Sequence, residues 1–288
     1  SLALNFDPLA NTDDGFCCGS EIPLPPFGTQ IGQDIDGESP HDNSGRSVSI
    51  SSNGKIVAIG DPGNNGNSSN NGCVRVYEEI NGVWSQIGGN IYGNYHENIG
   101  RSVALNDDGT IVAIGAPVEA GGAGNVAGLV RIYHWSGTFW IQIGQDIDGE
   151  ASGDYSGGSV SLSSDGNTVA IGANGNNGYT GHVRIYNYDG YSWIPLGQDI
   201  DGESLADHSG HSVSLSSDGN TVAIGSTFAG DSYVEAGHVR IFSYNGTSWT
   251  QIGTNINGEA MGDHSGYSVS LSSDGNTVAI GADANDGN

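Results

Sequence analysis

The chain has 288 residues and carries 7 Lys+Arg against 33 Asp+Glu, a formal net charge of −26 at pH 7. This shortage of bases argues against nucleic-acid binding, which needs a basic surface to neutralise phosphate, and against attraction to an anionic membrane. No run of 18 apolar residues occurs, so the sequence predicts no membrane-spanning helix.

The N-terminal segment, residues 1–26, differs from the rest of the chain and contains two of its three cysteines, Cys17 and Cys18. Its stretch LALNFDPLANTDDGFC, residues 2–17, resembles a short cysteine-bounded repeat of large surface proteins with the pattern NYDP…DDGSC. The first cysteine of that pattern would fall before Ser1. We therefore expect a longer natural chain with a cysteine-bearing repeat at that point.

From residue 27 onwards the sequence is built from repeats. The segment SVSLSSDGNTVAIG occurs unchanged at Ser159, Ser212 and Ser268, and related copies start at Ser47 and Ser102. Each copy has an alternating strand, a tight Asp-Gly or Asn-Gly turn and an apolar strand, then a third strand like GHVRIY and a fourth that contains tryptophan. Four antiparallel strands in each repeat predict the blades of a β-propeller. A β-sandwich is the alternative, but it offers no reason for one four-strand unit to recur.

The repeat boundaries predict the domain organisation. We expect an all-β propeller over residues 27–288, with full blades near 46–90, 101–146, 158–199 and 211–255 and a partial blade near 267–288. Residues 27–35 match only the fourth strand of another blade. Because a blade buries its faces only on its neighbours, we expect further blades after Asn288 and a ring of about six to eight in all.

The copy GDYSGGSVSLSSDGNTVAIGANGNNGYTGHVRIYNYDGYSWIPL resembles the FG-GAP repeat of integrin-α-like propellers. The resemblance covers residues 28–282 and implies a propeller that adheres or binds outside the cell. Ser-Gly stands where that family has Phe-Gly, as at Ser209-Gly210. The link in which some members bind calcium is here only Ser-Ser-Asp-Gly-Asn, so that calcium site does not carry over.

Two residue types recur at fixed positions of the blades. The third strands contain Arg75, Arg131, Arg184 and Arg240, and the fourth strands contain Trp84, Trp140, Trp193 and Trp249. The arginines are candidates for binding an anionic glycan and the tryptophans for stacking on sugars, but a residue repeated in every blade is more typical of structure. We expect Arg184 and Arg240 to be buried and to contact carboxylates, and the tryptophans to pack between blades.

The loop after the fourth strand is acidic in two copies, DIDGEASGD and DIDGESLAD. These copies contain the candidate calcium ligands Asp148, Glu150, Asp154, Asp201, Glu203 and Asp207, whose hard oxygens suit Ca²⁺ on a tight turn. The alternative is that the aspartates cap backbone N–H groups of a polar connection. The nearby His208 and His211 are candidate transition-metal ligands, although we favour a solvated loop.

No catalytic motif is recognisable in the sequence. The regular blades favour a non-enzymatic protein, extracellular or on a cell or virion surface, that serves adhesion, ligand binding or structural assembly. Its expected partner is a protein or a glycan, and calcium is the only candidate cofactor. The alternative is a glycan-binding lectin or a propeller enzyme that acts on glycans.

Overall fold

The structure is a computed structural model that describes residues 28–66, 70–117, 127–228 and 236–285. Within these ranges the only helix is a four-residue turn, α1 (Asn176–Tyr179), and no helix is long and apolar enough to cross a membrane. The predictions for residues 1–26, including those for Cys17 and Cys18, lie outside the described residues.

The strands fall into five antiparallel sheets, which are the blades. The first blade contains β1 (Ser47–Ile50), β2 (Ile56–Asp61), β3 (Cys73–Ile80), β4 (Val83–Gln86) and β5 (Ile91–Tyr92). The second contains β6 (Ser102–Leu105), β7 (Ile111–Ala116), β8 (Leu129–Trp135), β9 (Trp140–Gln142) and β10 (Ile147–Asp148). The third contains β11 (Ser159–Leu162), β12 (Thr168–Ala173), β13 (His182–Tyr188), β14 (Trp193–Pro195) and β15 (Ile200–Asp201).

The fourth blade contains β16 (Ser209–Leu215), β17 (Thr221–Ser226), β18 (His238–Tyr244), β19 (Trp249–Gln251) and β20 (Ile256–Asn257). The partial fifth blade contains β21 (Ser265–Leu271) and β22 (Val278–Ala282). The predicted all-β propeller of four-stranded blades is thus confirmed.

The outer strand of each full blade is interrupted. In the third blade, β14 and β15 both pair with β13, on either side of a bend at Gly197, whose φ is 80°. Glycine reaches positive φ at little cost, so it suits this bend. The first segment, β14, is the predicted fourth strand, whereas β15 lies in the stretch that the sequence predicts to be an acidic loop.

The predicted strand at residues 27–35 does not form a ladder over its described part, residues 28–35. A fourth strand needs a third strand beside it, and the described residues provide none there. The segment nevertheless contacts the first blade, because the indole Nε1 of Trp84 donates to the carbonyl of Ile31 at 2.9 Å.

The hydrophobic core lies between neighbouring blades. On β7, Val112 and Ile114 pack towards the first blade and contact the cluster that contains Val74. The intervening Ala113 faces the third blade and packs with Val169. Side chains alternate between the two faces of a strand, so the motif Val-Ala-Ile sets large residues of one blade against the small alanine of the preceding blade.

Neighbouring blades make their closest approach at the glycine of this motif. A Cβ on Gly172 would overlap the carbonyl oxygen of Gly210 in the next blade. The same carbonyl accepts a hydrogen bond from Ser159 Oγ at 2.8 Å. The equivalent second-strand glycines that face the next blade in this way are Gly60, Gly115 and Gly225.

The face of the first blade that points away from the second blade is exposed to solvent. Val48 on β1 is 64% exposed, whereas the equivalent Val103 and Val213 are 9% and 8% exposed. No described residue covers this face as the neighbouring blades cover theirs.

Replacing Gly172 with alanine should destabilise the fold by about 3 kcal/mol, because its Cβ would displace the backbone of the next blade. Gly281→Ala is the matched control, since a Cβ there closely meets only the Ser268 hydroxyl, which rotates away, and its cost should stay below about 1 kcal/mol. Urea unfolding of the 288-residue chain measures both. Equal losses for the two variants would contradict the close-approach argument.

Candidate functional site

A tight turn lies at or just before the start of the first strand of every blade. In the fourth blade the N–H of His211 donates to the carbonyl of His208 at 3.1 Å, and the intervening Gly210 has a φ of 83°. A positive φ at the third residue of such a turn favours glycine. His208 also has positive φ, 56°. The turn thus fixes two side chains, three residues apart, at one end of the blade.

We call the residue before the first-strand Ser-Val the rim position and the residue three before it the turn position. The rim positions are Arg46, Arg101, Gly158, His211 and Tyr267. The turn positions are Asn43, Asn98, Tyr155, His208 and His264, and all five have φ between 49° and 56°. The backbone is therefore repeated at these positions while the side chain changes from blade to blade.

These turns surround a cavity of about 1080 Å³, the central cavity. All five rim positions and the first four turn positions line it, so every blade contributes to its wall. Drug-sized ligand sites commonly occupy ~300–1,000 Å³, so this cavity has room for a small or extended ligand.

Rings from several blades form a row beside the cavity. Tyr179 lies 6.3 Å from Tyr155 and stacks on His208 at 4.9 Å, measured between ring centroids. Phe228 lies 4.8 Å from both His208 and His264. This aromatic row spans the third, fourth and fifth blades.

A second ring pair, His211 and Tyr267, lies at 5.0 Å on the cavity wall. Burial lowers the pKa of His208, with a small opposing effect of Asp207. Burial also lowers the pKa of His211, and the nearby His208 adds to this effect. Both imidazoles are therefore neutral near pH 7 and present uncharged faces.

Positive charge is concentrated on the opposite side of the cavity. Four of the seven basic residues are the third-strand arginines, and two others, Arg46 and Arg101, line the cavity with exposed side chains. The last, Lys55, lies in the hairpin turn between β1 and β2. In a chain of net charge −26, the first two blades thus give the cavity a local cationic wall.

The third-strand arginines are buried and do not reach the cavity. Arg75 Nε donates to Asp61 Oδ2 at 2.6 Å, and its Nη1 donates to the carbonyl of Asp36 at 2.9 Å. Arg131 bridges Glu97 and Asp146 with contacts of 2.6 to 3.0 Å. These two arginines form ion pairs of the expected kind.

Arg184 and Arg240 are buried as expected, but only Arg184 has a carboxylate within ion-pair distance. The nearest carboxylate oxygen to Arg184 is Glu150 Oε1 at 3.8 Å, while its Nη2 donates to the carbonyl of Asp148 at 2.7 Å. Arg240 donates to the carbonyl of Asp201 at 2.6 Å and forms no ion pair with any described carboxylate. Burial lowers the pKa of Arg240, and the charges of Glu203, Asp207 and Asp201 oppose this effect only in part.

The tryptophans lie between blades. Trp193 Nε1 donates to the carbonyl of Ile143 in the preceding blade at 3.0 Å, and the side chain of Gln145 bonds the Trp193 backbone at 2.8 and 3.1 Å. Trp84, Trp140 and Trp249 donate in the same way to the preceding outer strand or segment. Their rings do not line the central cavity.

The candidate calcium ligands are not brought together as two three-carboxylate sites. Asp154 is buried and accepts the N–H groups of Glu150 and Ala151 at 3.0 and 2.8 Å. Asp207 accepts those of Glu203 and Ser204 at 2.8 and 2.7 Å. The aspartates thus cap their loops.

The backbone carbonyls of the exposed Asp148 and Asp201 instead accept hydrogen bonds from Arg184 and Arg240. Among the described residues, the group of three metal-ligating side chains is Glu150, His182 and Asp199, which includes one candidate calcium ligand.

The rim positions were not predicted from the sequence. The variation among copies favoured a solvated loop at His208 and His211, whereas both residues line the cavity. That variation, at one register within an otherwise repeated segment, is the signal that would have located the site.

Comparisons with known proteins extend to the fold only. No protein-family model matches the chain, and no curated protein does. Hydrazine synthase of Kuenenia stuttgartiensis matches with a TM-score of 0.53 and 12% identity, over 82% of this chain and 61% of that chain.

Two further solved structures show the same fold. A putative 6-phosphogluconolactonase of Bacteroides fragilis matches with a TM-score of 0.52 and 13% identity, over 81% of this chain and 56% of that chain. The periplasmic gluconolactonase PpgL of Pseudomonas aeruginosa matches with 0.52 and 15% identity, over 81% of this chain and 64% of that chain. The chain thus spans about three fifths of the length of each of these propellers, and fold neighbours include enzymes.

Replacing Arg131 with leucine should cost about 3 kcal/mol at pH 7, because two partly buried carboxylates lose their partner. Burial alone would raise the pKa of Glu97 and Asp146, but hydrogen bonds led by those from Arg131 outweigh it and lower both. Groups with a lowered folded-state pKa contribute stability above their ordinary values of 4.5 and 3.8 and lose it as the pH falls through the folded values. The cost of Arg131→Leu should therefore shrink between pH 6 and about pH 3.

Arg184→Leu is the control for that experiment, since its nearest carboxylate is 3.8 Å away and half exposed. Its cost should change less over the same pH range, as measured by urea unfolding at each pH. A pH-independent cost for Arg131→Leu would contradict the ion-pair assignment.

Proposed function

We propose that this chain is a non-enzymatic binding module, extracellular or exposed on a cell or virion surface, that holds an acidic saccharide in its central cavity. The observation that carries the proposal is the variation of the rim positions. Arg46, Arg101, Gly158, His211 and Tyr267 share one backbone position around one cavity, yet four residue types occur there. A position that only supports a blade would carry the same residue in each copy, as the Val-Ala-Ile-Gly segment does.

The distribution of chemistry around the cavity supports a ligand that is both acidic and able to stack. Guanidinium groups bind carboxylate or sulfate through paired hydrogen bonds, and Arg46 and Arg101 provide two of them. The amides of Asn43 and Asn98 both donate and accept, which suits hydroxyl groups. On the other side, Tyr155, Tyr179 and Tyr267 line the cavity, and tyrosine rings suit the apolar face of a sugar.

The net charge of −26 makes the position of the arginines important. An acidic ligand is repelled by the chain as a whole, and this repulsion is screened beyond about 8 Å at physiological salt. Attraction must then come from charges in direct contact with the ligand. The two exposed arginines that line the cavity meet that requirement.

The competing hypothesis is a propeller enzyme that acts on glycans. Three fold neighbours are named as enzymes, but at 12 to 15% identity they share only the fold with this chain. The regularity of the four full blades supports the non-enzymatic proposal, because no blade departs from the common framework of glycines and tryptophans.

Binding should be measured by calorimetry with a galacturonic acid hexamer, a sulfated hexasaccharide and uncharged maltohexaose as probes. We expect at least one acidic probe to bind and the uncharged one to bind at least about tenfold more weakly. The double variant Arg46→Ala/Arg101→Ala should weaken acidic binding by about tenfold or more, because it removes the cationic wall. Lys55→Ala is the matched control, since it removes an exposed charge away from the cavity and should leave affinity unchanged.

Three outcomes would overturn the proposal. Equal affinity for acidic and uncharged probes would show that the ligand is not selected for acidic groups. Acidic binding that is unchanged in the double arginine variant would show that the binding site is not at the cationic wall of the cavity. Accumulation of shorter saccharides during incubation, followed by mass spectrometry, would favour the enzyme.

A further inference from the structure

One outer site of the third blade differs from its equivalents in the other blades. Three equivalent positions can be compared among the full blades: the residue at the start of the loop before the blade, the first residue of the third strand, and the residue before the last short strand. The four sets are Glu38, Cys73 and Asn90; Asn94, Leu129 and Asp146; Glu150, His182 and Asp199; and Glu203, His238 and Asn255.

In the first and fourth blades an asparagine side-chain amide donates a hydrogen bond to the glutamate carboxylate. Asn90 Nδ2 donates to both carboxylate oxygens of Glu38 at 3.0 Å. Asn255 Nδ2 donates to Glu203 Oε2 at 2.7 Å. In the second blade the carboxylate, Asp146, is instead held by Arg131.

The third blade has an aspartate, Asp199, at the position of these asparagines. A carboxylate cannot donate to Glu150 in the way the asparagine amides do, so two acids face one another without a hydrogen bond between them. One oxygen of each carboxylate and one ring nitrogen of His182 all lie within 4.8 Å of one another. Two like charges at this separation repel, and a cation between them would remove the repulsion.

His182 supplies a second, independent sign of a missing ligand. Its side chain is buried, with 2% exposure, and its Nε2 has no hydrogen-bond partner. A buried polar atom without a partner is costly, so such an atom in a native fold calls for an explanation. In the fourth blade the equivalent His238 Nε2 also lacks a hydrogen-bond partner and lies 3.9 Å from Glu203 Oε2, so a buried imidazole recurs beside the acidic loop and the second carboxylate is what distinguishes the third blade.

Burial lowers the pKa of His182, the charge of Arg184 lowers it further, and the nearby acids oppose both effects. The exposed carboxylates of Glu150 and Asp199 have the freedom to move towards a shared ion.

The type of donor selects the type of cation. Calcium and magnesium prefer oxygen ligands alone, whereas Zn²⁺ and similar ions accept imidazole nitrogen together with carboxylate oxygen. Two ligands about 2.1 Å from a tetrahedral Zn²⁺ are about 3.4 Å apart, which the present spacing reaches with a small rotation of the acids. Arg184 Nη1, 3.8 Å from Glu150, contributes one positive charge against two negative ones, so the set remains attractive to a dication.

We propose that Glu150, His182 and Asp199 bind one divalent transition-metal cation, for which Zn²⁺ is the appropriate probe. The ion would join the loop between β10 and β11 to the outer strands of the third blade. None of the three residues lines the central cavity, so this site is separate from the proposed saccharide site.

Calorimetric titration of the 288-residue chain with Zn²⁺ at pH 7 tests the site. We expect one Zn²⁺ to bind at this site, and Asp199→Asn, which reproduces the fourth-blade arrangement, to weaken that binding by at least about tenfold. His182→Gln should weaken binding in the same way. Because His182 is buried and its variant is at risk of misfolding, the variant of the exposed Asp199 is the decisive test. Calcium should not compete at equal concentration.

The fourth blade provides both a control and a gain of function. In the unaltered chain His238→Gln should leave Zn²⁺ binding unchanged, because its set has only one carboxylate. Asn255→Asp should complete that set with Glu203 and His238 and raise the stoichiometry by one, and adding His238→Gln to it should abolish the gain.

Zn²⁺ binding that is unchanged in Asp199→Asn would overturn the proposal, since the ion would then lie on other histidines such as those of the central cavity. Equal competition by calcium would overturn the assignment to a transition metal. A failure of Asn255→Asp to add a site would show that the second carboxylate is not what distinguishes the third blade. None of these outcomes depends on saccharide binding.

Discussion

The close approach of neighbouring blades at one glycine of each second strand is the constraint on which the rest of the structure depends. Gly172, its cross-strand partner Ser159 and the carbonyl of Gly210 meet at one point, and there is no room for a side chain on either glycine. Each of these groups must be small, and the serine must donate a hydrogen bond. The Val-Ala-Ile pattern beside the glycine then fills the space between blades with alternating large and small residues.

This contact fixes the separation of the blades and therefore the position of the turns at one end of each first strand. The turn backbone is the same in every blade, and its positive φ at the third residue favours glycine there. The side chains at the rim and turn positions are not restricted in this way. All of these residues except His264 line a shared cavity, to which every blade contributes, and they differ in charge and ring content. A uniform framework can thus support a non-uniform surface, which is the arrangement expected of a binding site on a repeat protein.

Electrostatics follow the same division between framework and variation. Most basic residues of this acidic chain lie inside the blades, where Arg75 and Arg131 form ion pairs with buried or partly buried carboxylates. Small substitutions in the surrounding shell alter the local chemistry without altering the backbone. Arg240 bonds a carbonyl and a hydroxyl where Arg75 meets Asp61, and Asp199 in place of an asparagine leaves two acids facing one another.

The sequence by itself determined the strands, the turns and the propeller, because strand alternation, Asp-Gly turns and the fivefold recurrence are local signals that tertiary contacts reinforce. It also indicated that the arginines and tryptophans belong to the framework, since each recurs in every full blade. The tertiary structure alone decided that Arg184 lies 3.8 Å from Glu150, that Arg240 pairs with no described carboxylate, and that residues 28–35 form no ladder. It alone brought the rim positions, some 50 residues apart in the chain, around one cavity, and Glu150 and Asp199 beside His182. These arrangements depend on groups contributed by other repeats, or by distant parts of the same repeat, and their distances are set by how the strands and blades pack rather than by any local pattern.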